Sequence, residues 1–368
     1  MSLREYNVAI IGCGRIAGHN ARAILATSGL KLVAICDLIE ANAKEYSDEF
    51  SVPNYLNYHQ MFKMHPSIDA VVIATPSGMH FEHTMEVLTK YKKHVIVEKP
   101  TFLTTTRLNR AYDTAERLGL KIFPVFQNRF NLAVQKVKNA IDSGELGNIQ
   151  IMSVRVRWCR PQRYYDLSQW RGTYSHDGGA LTNQGIHHVD LLRYLGGEVE
   201  KVNATMRTLG VNIEVEDSVV ATLSYKTGNI ASLEVTTAAR PLDFEASISI
   251  IGSEGLAQIG GIAVNELQVF TPDPEACKIY SEDFSGCVYG NGHQLLYRSI
   301  HNSLSTQEPY LIDRSDCHQT INLLHAFYCS DEQSNWIQVS EGRESTRLGR
   351  PDERISNLYR TEDLLCLN

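Results

Sequence analysis

The chain has 368 residues, enough for two domains that each bury a core of their own. A formal net charge of −7, from 35 Lys and Arg against 42 Asp and Glu, excludes a broad polyanion-binding surface, so nucleic acid is not an expected partner. The eight cysteines form no CxxC pair and fit a reducing cytoplasm; no apolar run reaches membrane length, and no metal is expected.

In chain order, the first third alternates short β-branched runs with amphipathic stretches, the pattern of βαβ units on a parallel sheet. Strands are predicted at 8–11, 32–36, 70–74, 95–97 and 122–125, and helices at 17–25 and 105–118, the second stopped by Gly119. Pro124 closes this region. Residues 1–124 are read as one α/β domain of Rossmann type, and residues 125–368 as a second domain for substrate and self-association.

From 149 the period changes to two. Met152, Val154, Val156 and Trp158 share one side, with Arg155 and Arg157 on the other, which predicts a strand packed on one face. A hairpin is expected over 218–237 with its turn at 226–229, then a strand at 246–251, and helices at 132–142, 186–194 and 295–304. The second domain is therefore α+β, built on a large, mainly antiparallel open sheet. The polar stretch after 342 carries no assignable pattern.

The turn Gly12-Cys13-Gly14-Arg15-Ile16-Ala17 follows a strand and opens a helix, which is the setting a GxGxxG-type motif needs to hold a dinucleotide. Twenty residues after Ala17, Asp37 ends the second strand, where a carboxylate accepts hydrogen bonds from ribose hydroxyls and repels a 2′-phosphate. This predicts NAD rather than NADP, held by Gly12, Gly14, Arg15, Ile16 and Asp37. Two later segments end strands of the same sheet and supply Thr75, Pro76 and His80, and then Glu98 and Lys99, to the same site. Lys99 precedes Pro100 and is held extended rather than helical.

With the GxGxxA turn, Ala74-Thr75-Pro76-Ser77-Gly78-Met79-His80, Glu98-Lys99-Pro100, and Asp177-Gly178-Gly179-Ala180 leading to Gly185-Ile186-His187-His188-Val189-Asp190, the chain resembles the Gfo/Idh/MocA oxidoreductase family over nearly its whole length. The resemblance implies that Lys99 and His187 flank the nicotinamide and the oxidised carbon, and that Gln127 and Trp170 stand beside the cofactor. Asp190 matches an acid three residues beyond the histidine. Many sugar dehydrogenases of the family carry aspartate four residues before that histidine; this chain has Asn183, which does not titrate and is read as a substrate hydrogen-bonding group.

Within the family, Gln127-Asn128-Arg129, Trp158-Cys159-Arg160-Pro161-Gln162-Arg163-Tyr164-Tyr165, Trp170-Arg171-Gly172, Thr182-Asn183-Gln184 and Val288-Tyr289-Gly290-Asn291-Gly292-His293 are similar to the subgroup that oxidises UDP-N-acetylglucosaminuronic acid at C3, toward diaminouronic sugars of bacterial surface polysaccharides such as O-antigen. Such a substrate brings a diphosphate and a carboxylate, and arginine forks grip both. Residues 155 to 171 hold five arginines against one acid, Asp166. Lys99, Arg129, Arg157, Arg160, Arg163, Tyr164, Tyr165, Asn183 and His187 are the expected substrate contacts. His187 titrates near neutrality in its ordinary state and suits the base, with Lys99 polarising the hydroxyl; the reverse assignment stays open. A dehydrogenase of a sugar or inositol without nucleotide, and a non-catalytic NAD sensor, are the competing readings. A homo-oligomer, dimer or tetramer, is expected.

Overall fold

The structure, a computed structural model, describes residues 4–284 and 290–362. Val288 and Tyr289 of the last motif lie outside the described residues. The chain divides into two compact units: Met1–Val125 with His293–His318 and Pro351–Asn368, and Phe126–Gly292 with Gln319–Arg350.

The first unit runs β1 (Tyr6–Ile11), α1 (Ala17–Leu25), β2 (Leu30–Cys36), α2 (Glu40–Phe50), β3 (Asn54–Tyr55), α3 (Tyr58–Met64), β4 (Ala70–Ile73), α4 (His80–Glu86), β5 (His94–Val97), α5 (Thr105–Arg117) and β6 (Ile122–Pro124). Its six strands are all parallel in the order β3-β2-β1-β4-β5-β6. Val8, Ala9, Val71, Val72, Ile73 and Val95 to Val97 are fully buried, which is why these strands read as unbroken apolar runs. The strand order reverses between β1 and β4, so a crevice opens at their carboxyl ends, the position of the glycine turn. α2 buries only Ala43 and leaves no apolar stripe for the sequence to show.

The second unit contains α6 (Leu132–Asp142), β7 (Ile149–Arg157), α7 (Gln162–Tyr165), α8 (Gly179–Asn183), α9 (Ile186–Gly196), β8 (Val199–Arg207), β9 (Ser218–Tyr225), β10 (Ile230–Thr236), β11 (Glu245–Gly252), β12 (Leu256–Gly260), β13 (Glu266–Phe270) and α10 (Ala276–Ile279). α11 (Gly292–Ser305), α12 (Arg314–Gln333) and β14 (Ile337–Gln338) follow. The eight strands lie in the order β13-β12-β11-β7-β10-β9-β8-β14, antiparallel throughout except where β7 meets β10. Met152, Val154, Val156, Ala231, Leu233 and Val235 point to the buried side, where α8 and α9 pack. On the opposite side Ile230, Ile151 and Ile251 stand in register across three strands and are exposed.

The first unit takes residues 1–125, where a boundary at 124 was expected, and residues 351–368 group with it as well. Residues 293–318 return to the first unit, because Tyr297 donates to Asn20 (2.7 Å), Tyr6 to the Leu304 carbonyl (2.8 Å) and Lys121 to Ser303 Oγ (3.0 Å). In the tail, Arg360 grips both oxygens of Glu82 at 2.6 and 2.9 Å. α12 escaped the sequence reading because Thr320, His325 and Ser330 are buried alongside Leu324 and Phe327, which breaks its apolar stripe. Among the described residues no helix is long and apolar enough to cross a membrane.

Candidate functional site

In the first unit the glycine turn leaves β1 at Gly12, whose φ of +98° suits glycine alone; a Cβ there would sit 2.5 Å from the Ala74 carbonyl oxygen. A Cβ on Gly14 would meet nothing within 4 Å, so the turn presents open backbone at the crevice. Asp37, at the exit of β2, accepts from the Cys13 N–H (2.6 Å) and the Ile39 N–H (2.8 Å), which fixes its carboxylate beside the turn. Arg15 is exposed and Ile16 half-buried on the same turn. This open glycine turn with an anchored acid fits a dinucleotide.

The exits of β4 and β5 are tied together by His80. Its Nδ1 lies 2.8 Å from the Pro100 carbonyl and its Nε2 2.9 Å from the Thr75 carbonyl, and the ring is 1% exposed. Both carbonyls accept only, so a neutral ring serves one of them and an imidazolium serves both. Burial, the largest influence, holds its pKa below the ordinary histidine value against the pull of both carbonyls and of Glu98. His80, expected at the cofactor, thus has both nitrogens engaged by the protein and holds the segment of Thr75 and Pro76 to that of Lys99. Thr75 Oγ1 in turn meets His83 Nδ1 at 3.0 Å.

Glu98 is 4% exposed, and its oxygens accept from Asn20 Nδ2 (2.9 Å) and the Lys99 N–H (3.1 Å), with His293 Nε2 at 3.9 Å. Burial works against its charge, but His293, Asn20 and Lys99 outweigh it and hold the carboxyl below the usual glutamate range. Beside it Lys99 is half-buried. Asn20 and Tyr297 extend this chain of hydrogen bonds, and neither was singled out from sequence, since each acts across a long stretch of chain.

In the second unit His187 lies in the first turn of α9, 6% exposed, with its ring edge-on to Phe126 at 5.9 Å. His188 is fully buried against Trp158, and burial pushes its pKa down to about 4. One helical turn beyond His187, Asp190 takes both forks of Arg129 at 2.7 Å and a hydroxyl from Thr320 at 3.0 Å. Arg129, expected at the substrate, is 1% exposed and its charge is matched by Asp190. Gln127, on the same short turn as Arg129, is also buried.

Two consecutive glycines, Gly178 and Gly179, enter α8 with φ near +80°, and a Cβ on Gly179 would lie 2.2 Å from a Glu216 oxygen. Sequence reasoning passed over Glu216, whose burial raises its pKa to about 8 although the Leu181 N–H and Tyr328 hydroxyl favour the anion. Asn183, at the end of α8, gives its amide nitrogen to Asp177. That bond makes it first a partner of Asp177.

The five arginines diverge. Arg157 binds Glu234 (2.6 and 2.8 Å) and Glu245 (3.1 Å) on the outward face of the sheet. Arg155 lies 3.9 Å from Glu245. Arg160 pairs with Asp243 at 2.8 Å while lying 5.4 Å from the Trp158 ring centre. Arg157 and Arg160, expected as substrate groups, are thus paired with carboxylates of the protein. Tyr165, also expected at the substrate, is 5% exposed and its hydroxyl meets Thr237 at 3.0 Å. Arg163 is exposed on α7. Arg171 lies against the rings of Tyr164 and Trp170 and donates to the Tyr164 hydroxyl at 2.5 Å. Among the described residues no group of three or more His, Cys, Asp or Glu side chains is placed to hold a metal.

Comparison with known proteins places these halves. Residues 6–126 match the model of the oxidoreductase family with an NAD-binding Rossmann fold, and residues 134–258 match the GFO/IDH/MocA C-terminal domain. Among solved structures, the chain is similar to the WlbA dehydrogenase from Bordetella pertussis in complex with NADH and UDP-GlcNAcA: 34% identity, TM-score 0.86, covering 92% of this chain and 99% of that one. WlbA from Chromobacterium violaceum, also with NADH and UDP-GlcNAcA, is 32% identical with TM-score 0.83, covering 92% and 97%. The D-glucoside 3-dehydrogenase of Escherichia coli is 29% identical over 260 residues, 65% of this chain and 72% of that protein.

Proposed function

The chain belongs to the GFO/IDH/MocA oxidoreductase family, and on that premise we propose that it oxidises the C3 hydroxyl of UDP-N-acetylglucosaminuronic acid to the 3-keto sugar with NAD. The observation that carries the substrate is the 34% identity, along 92% of the chain, to a dehydrogenase crystallised with NADH and UDP-GlcNAcA. The arginine-rich segment supports it: Arg163 and Arg171 keep charges that no described carboxylate neutralises.

NAD, when bound, accepts the hydride. Gly12, Gly14, Arg15, Ile16 and Asp37 hold the adenosine and diphosphate; Thr75, Pro76, Glu98, Gln127 and Trp170 serve its other end. Lys99 donates a hydrogen bond to the substrate hydroxyl and polarises it, and His187 takes the proton. Asn183 fixes a sugar hydroxyl or the N-acetyl group with its carbonyl oxygen, the amide nitrogen being held by Asp177. Tyr164 borders the same sugar. Asn183 does not titrate, so no proton passes through position 183.

In this reading the enzyme works in the cytoplasm on the way to a diaminouronic sugar of surface polysaccharide. It does so as a homo-oligomer, and the exposed row of Ile230, Ile151 and Ile251 on the outward sheet face is the surface offered for the contact. Sedimentation of the purified protein reads its mass; a monomer at micromolar concentration contradicts the oligomer.

Incubation with NAD and UDP-N-acetylglucosaminuronic acid, with a carbonyl trap or partner aminotransferase to draw off the ketone, is expected to yield NADH and the trapped 3-keto product. No turnover under those conditions, beside turnover of a neutral polyol, overturns the substrate.

A further inference from the structure

Of the arginines between 155 and 171, Arg171 differs from the rest in how its charge is held. Its guanidinium carbon lies 4.3 Å from the centre of the Tyr164 ring and 4.5 Å from that of Trp170. One terminal nitrogen donates to the Tyr164 hydroxyl at 2.5 Å, which also accepts from Gln184 Nε2 at 3.3 Å. Nε is buried without a hydrogen-bond partner, and among the described residues no carboxylate reaches the group. Arg160 makes the control within the same segment. It too lies against aromatic rings, of Trp158 and Tyr164, but Asp243 cancels its charge at 2.8 Å.

Two flanking rings and a tyrosine hydroxyl fix a guanidinium in one orientation, so little rotamer freedom is left to lose when a ligand binds. Its second terminal NH2 group and the remaining proton of the first then form a planar edge of donors with no acceptor among the described residues. A half-buried cation without a counter-ion keeps its field for an incoming anion. We propose that Arg171 is the anchor for an oxyanion of the sugar-nucleotide substrate, either the uronic carboxylate or the diphosphate. The inference rests on the nucleotide-sugar-acid reading above and assigns the selectivity for a charged substrate to one side chain.

The test is calorimetric titration of UDP, UDP-N-acetylglucosamine and UDP-N-acetylglucosaminuronic acid into the full-length NADH-loaded protein and into R171M. Loss of a charge-assisted fork weakens binding about ten- to hundredfold. That loss on all three ligands assigns the diphosphate; the same loss on the uronic acid alone assigns the carboxylate. Affinities of R171M that match the parent on all three overturn the anchor. R171K keeps the charge without the planar fork and is read if R171M does not fold: about threefold or greater weakening is expected, and parental affinity overturns the proposal. A parent protein that binds none of the three overturns the nucleotide-sugar reading, and the anchor falls with it.

Discussion

The glycine turn of the first unit and the arginine-rich segment of the second were both conspicuous as sequence, yet they fared differently on folding. At the turn, each requirement is a steric one on nearby backbone: Gly12 must adopt φ +98° against Ala74, and Asp37 returns to the Cys13 N–H at the end of the next strand. In the arginine segment the deciding partners are far away. Glu234 and Glu245, which neutralise Arg157, lie 77 and 88 residues along the chain, and Asp243, which neutralises Arg160, lies 83 residues along. Clustering in sequence therefore overstates clustering of available charge, because counter-ions arrive from other strands of the sheet.

The comparison sharpens or breaks on four substitutions. Lys99→Met is expected to lower turnover about a thousandfold while NADH affinity, read by fluorescence titration, changes little, because the turn that holds the cofactor is untouched. Weak NADH binding in that variant would make Lys99 a cofactor residue first. Arg129→Met leaves Asp190 buried without its counter-charge and is expected to destabilise the protein by about 3–5 kcal/mol in urea unfolding. A small effect there would return Arg129 to the substrate.

Glu216→Gln acts through pH. Burial raises Glu216 from 4.5 to about 8, so the folded protein keeps a proton that the unfolded chain gives up. Stability from this group is complete below pH 4.5 and is lost as pH rises toward about 8. The glutamine variant lacks that slope. Its stability relative to the parent should rise by about 1–3 kcal/mol across the window, read as melting temperature against pH. Arg157→Met is the smallest: under about 1 kcal/mol of stability, with UDP affinity unchanged, since the pair sits on a half-exposed sheet face. A fall in UDP affinity would restore Arg157 to the site.

Fold class was legible because strands buried on both faces read as apolar runs and the turn motif demands glycine. α12 was not, since its buried Thr320, His325 and Ser330 look like solvent-facing residues in a one-dimensional pattern. Of the expected site, Asp37, Lys99 and His187 rest on motif and position. Glu216 and Asn20 do not: each has its meaning only through a partner brought in by folding, Gly179 for one and Glu98 for the other. Nor could the sequence separate Tyr165, whose hydroxyl meets Thr237, from its half-buried neighbour Tyr164.

The central claim is that the hydride leaves C3 of a UDP-linked uronic acid. UDP-N-acetylglucosaminuronic acid deuterated at C3, incubated with the enzyme and NAD in light water, is expected to give NADH carrying one deuterium, seen by mass spectrometry and proton NMR. NADH formed without deuterium would contradict the account.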